Sequence, residues 1–339
     1  MSDIYYKHAH RSQEEIDAIK HRYEDFDATL IPQIFKEALD LTAISWKRPD
    51  SYGTIHVIYT VVVKRQSEPL LLRANIGGFQ PEIEMKTEQL ISDKARAFGV
   101  LTNKIIYVDI SRKKLPFDFQ IQEVLPGQDM EDHFDGTKEQ YDKISFILGT
   151  YVAKFEELTL EKFGRFDEGE VLRDALTGTK STFFDYIITR LDDDLKFLVD
   201  RQLITSGISD RIRALFDEYK PVMKISRGSL VHHDLADHNF MCLNGKLTAI
   251  FDWENAVSGD PVLDLASCPT WVTHYPREEK LIEGYKSVRS LPDHFVDKMH
   301  IYRLRTMIWK MVFAVRAGIL NDVRRQRFVN ALAPFKIQL

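Results

Sequence analysis

Apolar residues follow two spacings along the chain, and each spacing predicts its own kind of element. In residues 12–27 and 30–41 apolar side chains recur three or four positions apart, which is typical of amphipathic helices. Ser12 and Glu15 form a capping-box pattern at the start of the first of these helices. The chain is therefore predicted to begin with two helices.

After residue 41 the pattern changes to short runs that are either apolar or alternately apolar and polar, and such runs predict strands. Five of them are expected, at residues 43–46, 55–63, 70–74, 105–109 and 117–124. Between the third and the fourth, Pro81 is suited to the first turn of a helix that ends near Phe98, because Gly99 is a stop signal. This segment is predicted to be a sheet with one inserted helix.

From residue 128 onward most of the chain has helical spacing. The predicted helices cover residues 137–158, 181–202, 208–220, 278–289 and 297–317. Asp192, Asp193 and Asp194 fall in the second of these helices, on its predicted solvent side.

One stretch of this second half predicts strands and concentrates the polar chemistry. Leu230-Val231 precedes a polar loop, and the apolar run 240–243 is followed by the turn signal Asn244-Gly245 and a second run. Such a hairpin would bring Asp252 back beside Asp234 and Asn239. Two carboxylates and an amide oxygen suit a hard divalent cation together with a general base.

Composition narrows the class of protein. The 339 residues exceed one typical core and predict two lobes. A net charge of −5 predicts no general affinity for nucleic acid, and no apolar run approaches the ~20 residues that cross a bilayer. Two cysteines and an amino terminus without a signal-peptide pattern predict a cytoplasmic protein. The oligomeric state cannot be predicted from these features.

Three linked motifs give the chain a family resemblance. His232-His-Asp234 with Asn239, then Ile250-Phe-Asp-Trp-Glu254, then Gly259–Ala266 follow one another as in the aminoglycoside phosphotransferase family, which includes choline-kinase-like and hygromycin-type members. The resemblance implies an α+β, bilobal protein-kinase-like fold. Residues 1–125 would form an antiparallel sheet lobe with a helical extension at 1–42, and residues 126–339 a larger, mainly helical lobe.

The resemblance also implies a reaction and its central residues. ATP would donate its γ-phosphate to a hydroxyl of a small molecule, and GTP is not excluded as the donor. Asp234 would act as the base for the acceptor hydroxyl, and Asn239 and Asp252 would hold Mg²⁺. Of Asp260 and Asp264, one would bind the backbone of the loop that carries Asp234.

The nucleotide-binding residues implied by the resemblance lie in the first lobe. A loop with Ser51, Gly53 and Thr54 would meet phosphates through backbone N–H groups. Arg73 would contact the α- and β-phosphates, in a place where protein kinases carry Lys.

Two further predictions complete the nucleotide site. Glu88 would orient Arg73, with Glu84 one turn earlier as the rival. The Glu123 carbonyl and the Leu125 N–H would bind the adenine edge.

The acceptor is the least determined part of this prediction. An aminoglycoside or aminocyclitol is the first choice, and a sugar, choline-like or macrolide acceptor is the alternative. A polycationic acceptor would need a carboxylate rim, for which the candidates are Asp192, Asp193, Asp194, Asp237 and Glu254.

Two hypotheses from other classes remain open at this point. His232, His233, Asp234, Asp237 and His238 could coordinate zinc in a metallohydrolase. A nucleotide-binding module without catalysis is the other. Otherwise His232 is expected to brace its loop, and neither His233 nor His238 has an assigned role.

Overall fold

The computed structural model describes residues 13–49, 55–76, 83–271 and 273–339. The amino-terminal part contains an antiparallel sheet with strand order β1-β2-β3-β5-β4. Its strands are β1 (Ala43–Lys47), β2 (Val57–Val63), β3 (Leu70–Asn75), β4 (Ile105–Asp109) and β5 (Asp118–Glu123). Its helices are α1 (Gln13–Asp25), α2 (Ile31–Leu39) and α3 (Ile83–Ala97). The five predicted strands are thus confirmed to within a few residues.

Strand alternation builds the core of this sheet. Val57, Tyr59, Val61 and Val63 of β2 are buried, while the residues between them are more exposed. They face one side because successive side chains of a strand point to opposite faces. Helix α2 covers that side with Ile31, Ile34 and Phe35, which helical spacing brings to one face.

The carboxy-terminal part is mainly helical but also contains two small sheets, which the sequence only partly predicted. Their strand orders are β7-β10-β13-β8-β9 and β12-β11-β6. The strands are β6 (Gln128–Asp129), β7 (Thr159–Leu160), β8 (Phe163–Phe166), β9 (Gly178–Lys180), β10 (Gly228–Val231), β11 (Phe240–Leu243), β12 (Lys246–Ile250) and β13 (Val257–Gly259).

Ten helices belong to the described residues of this part. They are α4 (Met130–His133), α5 (Lys138–Phe155), α6 (Glu168–Val171), α7 (Phe183–Ile187), α8 (Leu191–Asp200), α9 (Ser206–Tyr219), α10 (Val262–Ser267), α11 (Glu278–Lys286), α12 (Phe295–Arg316) and α13 (Asp322–Leu332). No helix among the described residues is long and apolar enough to cross a membrane.

Local signals in the sequence placed several boundaries correctly. Gly99 has a positive φ of 75° just after α3, and Asn244 and Gly245 have positive φ values of 52° and 68° in the turn between β11 and β12. Both turn residues are left-handed, as the tight hairpin requires. The capping-box residue Ser12, however, lies outside the described residues, and the boundary at residue 125 stays a prediction.

The predicted single helix 181–202 is wrong, because the chain breaks between α7 and α8. Arg190 adopts a left-handed conformation at the break, with φ of 57°. Arg305 of α12 donates hydrogen bonds to the carbonyls of Ile187 and Thr189, at 2.7 and 2.8 Å. The break therefore supplies backbone acceptors to a fully buried guanidinium.

Asp194 follows this break and is not on a solvated face, contrary to the prediction. Its side chain is buried, and its Oδ2 lies 3.0 Å from Nη1 of Arg305. The carboxylate is the counter-ion of a buried cation, because a buried charge is tolerated only when it is paired.

Candidate active site

One carboxylate holds the backbone of the loop that carries Asp234. Asp264 of α10 accepts the backbone N–H groups of His232 and His233, each at 2.7 Å. His233 adopts a left-handed φ of 68°, which is unusual for a residue other than glycine. Asp260 instead accepts hydrogen bonds from Lys298 and Tyr302. The expected contact with the loop backbone is therefore made by Asp264.

His232 braces the same loop, as predicted. Its Nε2 donates to the carbonyl of Phe251 at 3.1 Å, and its Nδ1 accepts the Asp234 N–H at 3.3 Å. The ring lies against Trp253, with centroids 4.4 Å apart. Burial lowers the pKa of His232 to about 4, so the ring is neutral near pH 7. A neutral, fully bonded imidazole holds the loop and is not free for a metal.

Asp234 presents one carboxylate oxygen without a partner. Its Oδ2 accepts from the amides of Asn239 at 3.1 Å and Asn255 at 3.5 Å, whereas its buried Oδ1 accepts no hydrogen bond. Burial acts to raise the pKa of Asp234, but His238, 3.8 Å from Oδ2, acts with His232 and Lys310 in the opposite direction, and the net pKa is lowered. The group is thus an ionised carboxylate with an oxygen available to a hydroxyl.

The hairpin β11–β12 returns Asp252 to the same place. Phe251 donates its N–H to the Asn239 carbonyl at 3.0 Å, and Asp252 then adopts a left-handed φ of 65°. Oδ1 of Asp252 is buried and has no hydrogen-bond partner. Burial, and then the charges of Glu254 and Glu88, raise the pKa of Asp252 well above its ordinary value.

These features fit a divalent cation. Asn239 uses its amide N–H groups on Asp234, which leaves its amide oxygen for a ligand role beside the orphaned oxygen of Asp252. Mg²⁺ commonly binds through one or two carboxylates and completes its shell with water and nucleotide phosphates. A cation would also offset the crowding of Asp252, Glu254 and Glu88.

Arg73 lies next to this carboxylate group. Its Nη1 is 2.7 Å from Oε2 of Glu88, and its Nη2 is 3.6 Å from Oε2 of Glu254. Glu84 instead pairs with Arg165 of β8, at 2.9 Å. Of the two rival glutamates, Glu88 is the one beside Arg73. Arg73 of β3 therefore contacts both α3, through Glu88, and the loop that carries Asp252, through Glu254.

The structure does not test the other residues that were predicted to bind the nucleotide. Ser51, Gly53 and Thr54 lie outside the described residues. Glu123 ends β5 as an exposed side chain whose carboxylate is 3.5 Å from Lys104, and Leu125 is half-buried two residues later. Their roles stay predictions, since adenine contacts would be made by the backbone.

The five candidate rim carboxylates are already engaged by cations of the protein itself. Each is paired with a different cation: Asp192 with Arg213, Asp193 with Arg190, Asp194 with Arg305, Asp237 with Arg277 and Glu254 with Arg73. Asp194, Asp237 and Glu254 are buried as well. Buried carboxylates need local counter-ions and are not open to a substrate.

The side chains that the zinc hypothesis requires as ligands also have other partners in the protein. Asp237 pairs with the buried Arg277, which also donates to Tyr141, and burial lowers the pKa of His233 to about 3 beside Tyr186. Within the described ranges, no three His, Cys, Asp or Glu side chains are grouped to hold a metal.

Two neighbours of Asp234 were not predicted from the sequence. Asn255 donates to its carboxylate. Lys310 of α12 is one of the charges that lower the pKa of Asp234. The available signal was a lysine within the run of apolar side chains from Met307 to Val312, where a buried cation needs an explanation.

Comparison with protein families matches residues 55–293 to the phosphotransferase enzyme family (APH). No curated protein sequence matches the chain significantly. The match covers more than half of the chain, including strands β2 to β5 of the first sheet and the loops of Asp234 and Asp252.

Solved structures share the fold across nearly the whole chain. A thermostable mutant of aminoglycoside phosphotransferase APH(4)-Ia, in a ternary complex with AMP-PNP and hygromycin B, has a TM-score of 0.62 at 15% identity. The alignment covers 91% of this chain and 100% of that one. Macrolide 2'-phosphotransferase MphH from Brachybacterium faecium has 0.57 at 13%, covering 91% and 98%. The gentamicin–APH(2")-IIa complex has 0.55 at 13%, covering 93% and 97%. The predicted kinase-like α+β fold is confirmed.

Proposed function

Because the chain belongs to the phosphotransferase enzyme family, we propose that it transfers the γ-phosphate of ATP to a hydroxyl group of a small molecule. The observation that carries this proposal is the pair of buried, unpartnered carboxylate oxygens of Asp234 and Asp252. Asn239 connects the two segments that carry them. Its side-chain amide donates to Asp234, and its carbonyl accepts the N–H of Phe251, the residue before Asp252.

Asp234 acts on the acceptor. Its free oxygen receives the hydroxyl hydrogen and points the hydroxyl oxygen at the γ-phosphorus. A bond forms between the hydroxyl oxygen and the γ-phosphorus. The bond between the γ-phosphorus and the β,γ-bridging oxygen breaks. ADP leaves with that electron pair, and the hydroxyl proton passes to Asp234. Asn239 keeps the carboxylate oriented throughout.

The nucleotide is held from both lobes. Asn239 and Asp252 would hold Mg²⁺, which would supply positive charge to neutralise the phosphates. Arg73, oriented by Glu88, binds the α- and β-phosphates through its planar guanidinium. The backbone of Glu123 and Leu125 would bind the base.

An aminoglycoside or aminocyclitol acceptor now rests on the similar structures alone. Two of them are aminoglycoside phosphotransferases by name and one is a macrolide phosphotransferase, so fold similarity fits either acceptor. The carboxylates that would attract a polycation are paired within this protein. The function is therefore proposed at the level of a small-molecule hydroxyl kinase.

Substitution of Asp234 by Asn tests this function. Asn keeps the shape but cannot accept the hydroxyl proton, so kcat should fall by roughly 10²–10⁴, the usual range for a positioned base. Binding of Mg²⁺–AMP-PNP should change little, because Asp234 is not assigned to the metal. ATP consumption against a panel of aminoglycosides, sugars, choline analogues and macrolides gives the rates, and calorimetry gives the affinity.

Two results would contradict the proposal. A wild-type protein that binds Mg²⁺–AMP-PNP but consumes no ATP with any acceptor would favour the non-catalytic nucleotide-binding module. An Asp234→Asn variant with unchanged kcat would move the base elsewhere.

A further inference from the structure

Aromatic and cationic side chains extend the site from Asp234. His238 Nε2 is 3.8 Å from Asp234 Oδ2, and the His238 ring meets Trp271 edge-on at 5.3 Å between centroids. The ammonium of Lys310 lies 3.3 Å from the centroid of Trp271. This chain of contacts leads from the proposed base to α12.

Three cations meet at the end of this chain. Lys310 donates to Oγ1 of Thr270 at 2.7 Å, and Arg327 of α13 donates to the carbonyl of the same residue at 3.2 Å. Arg324, one turn before Arg327, donates to the carbonyl of Ile319 at 3.0 Å. Within the described residues none of the three has a carboxylate within ion-pair distance. Two carboxylates lie nearby: Asp234, 3.8 Å from Nε2 of His238, and Glu131, 3.4 Å from Nδ1 of the same ring.

Elsewhere in the same lobe, comparable cations have carboxylate partners. The pairs are Arg277 with Asp237, Arg305 with Asp194, Lys298 with Asp260, Arg289 with Glu156 and Arg303 with Glu278. All of these cations are buried or half-buried, as are Lys310, Arg324 and Arg327. A half-buried cluster of like charges without a counter-ion is costly unless a ligand supplies the opposite charge.

The titration of Lys310 agrees with this geometry. Burial lowers the pKa of Lys310 well below its ordinary value. The charge of Asp234 opposes this shift, and the charges of Arg327 and Arg324 add to it. An anion beside the ammonium would reverse the direction of that shift.

We propose that Lys310, Arg324 and Arg327 form a subsite for an anionic group of the acceptor, so that the substrate is a hydroxylated carboxylate or phosphate ester. This inference rests on the proposed function, since it places the acceptor hydroxyl at Asp234. Guanidinium groups suit carboxylate and phosphate oxygens, and Trp271 provides an apolar face for the carbon skeleton. A polycationic aminoglycoside would meet like charge here.

The test uses one carbon skeleton in four charge states. Glucose, glucosamine, glucuronate and glucose 6-phosphate, together with inorganic phosphate alone, are titrated into the 339-residue protein already saturated with Mg²⁺–AMP-PNP. Tryptophan emission reports binding, because Trp271 lies in the subsite, and a Trp271→Phe variant identifies its share of the signal. Glucuronate or glucose 6-phosphate should bind at least about tenfold more tightly than glucose or glucosamine.

Charge removal gives the matched comparison. The double variant Arg324→Gln/Arg327→Gln should lose roughly tenfold or more of the affinity for the anionic sugars. Arg325→Gln removes the same charge from an exposed position between them and should change nothing. Lys310→Met checks the third cation.

Equal affinity for neutral, cationic and anionic sugars would overturn the inference, and so would the absence of anion binding in protein that binds Mg²⁺–AMP-PNP. Preference for glucuronate over the phosphate ester, or the reverse, supports the inference and identifies which anion the subsite takes. Failure of the proposed function is distinct, because it would appear as loss of nucleotide binding or of ATP consumption with every acceptor.

Discussion

Asp234 and Asp252 are both carboxylates, yet their surroundings give them different tasks. Asp234 is bonded by two amides and lies near His238, which favours its charged form. Asp252 faces Glu254 and Glu88 and is deprived of hydrogen bonds at Oδ1, which disfavours its charge until a cation arrives. Environment therefore separates a proposed base from a proposed metal ligand.

Arg73 and Glu88 should contribute unequally to nucleotide use. Arg73→Ala removes the proposed phosphate contact, so the KM for ATP should rise and kcat should fall. Glu88→Gln keeps a hydrogen-bond acceptor for Arg73 and should act in the same direction by less. Initial rates at varied ATP measure both, with Glu84→Gln as the control from the same helix face. Unchanged ATP kinetics in Arg73→Ala would assign the phosphates to another group.

His232 should make folding stability depend on pH. Its pKa is about 4 when folded, below the value of 6.5 for a free histidine, so its contribution is present above pH 6.5 and is lost as pH falls towards 4. Between pH 7 and pH 5 the loss is on the order of 2 kcal/mol. Asp264, whose pKa burial raises to about 7, acts in the opposite direction, losing stability as pH rises from about 4 to 7.

A His232→Gln variant isolates the histidine from the carboxyl. Urea unfolding at pH 5 and pH 7 should show a smaller loss of unfolding free energy on acidification in the variant than in the wild type. The same loss in both proteins would show that His232 is protonated in the folded state at pH 5.

Helices hold the site at fixed distances through close packing. Helix α5 meets α11 so closely that a Cβ on Gly149 would lie 2.0 Å from the carbonyl oxygen of Leu281, and one on Gly284 1.9 Å from that of Phe146. No side chain fits at either position while the helices stay in place. Each glycine is therefore required by the approach of one backbone to another.

Gly149→Ala should destabilise the protein although alanine is the better helix former. The methyl group must push α11 away, and overpacking of this kind typically costs about 1–3 kcal/mol. Gly207→Ala in α9 is the matched control, because its Cβ would meet only Oγ1 of Thr205 at 4.0 Å. Thermal unfolding should show a lower Tm for Gly149→Ala and an equal or higher Tm for Gly207→Ala. A rise in both would mean that α5 and α11 separate freely.

The two parts of the molecule meet along α3. Lys86 pairs with Asp174 at 2.8 Å, Arg165 with Glu84 at 2.9 Å, and Trp253 donates to Thr102 at 2.9 Å. Arg73 approaches Glu254 across the same boundary. A nucleotide bound between Arg73 and Asp252 would add its own contacts to both parts, so binding and folding stability are linked.

Mg²⁺ and AMP-PNP together should therefore raise the Tm. At a ligand concentration of about 100 Kd the gain is roughly 2.7 kcal/mol. Asp252→Ala should remove most of the Mg²⁺-dependent part, whereas Asp217→Ala, on the exposed side of α9, should keep it. Scanning calorimetry with AMP-PNP, with and without Mg²⁺, measures the shift. A full Mg²⁺-dependent shift in Asp252→Ala would assign the metal to other ligands.

Features encoded by neighbouring residues could be predicted from the amino-acid sequence by itself. The five strands of the first sheet, the Asn244-Gly245 hairpin and the stop at Gly99 depend on spacing and turn chemistry within a few positions. The hairpin also brought Asp252 next to Asn239, so the centre of the site followed from local order and the motifs of the family.

The partners of charged side chains depended on folding. Glu88 rather than Glu84 faces Arg73 because the docking of α3 turns one towards β3 and the other towards β8. Asp194 and Asp237 became buried counter-ions of Arg305 and Arg277, which lie far away in the chain. Spacing can show that a residue is on a helix, but it cannot show which distant charge shares its low-dielectric surroundings. For that reason the cluster of Lys310, Arg324 and Arg327 was visible only in the folded protein.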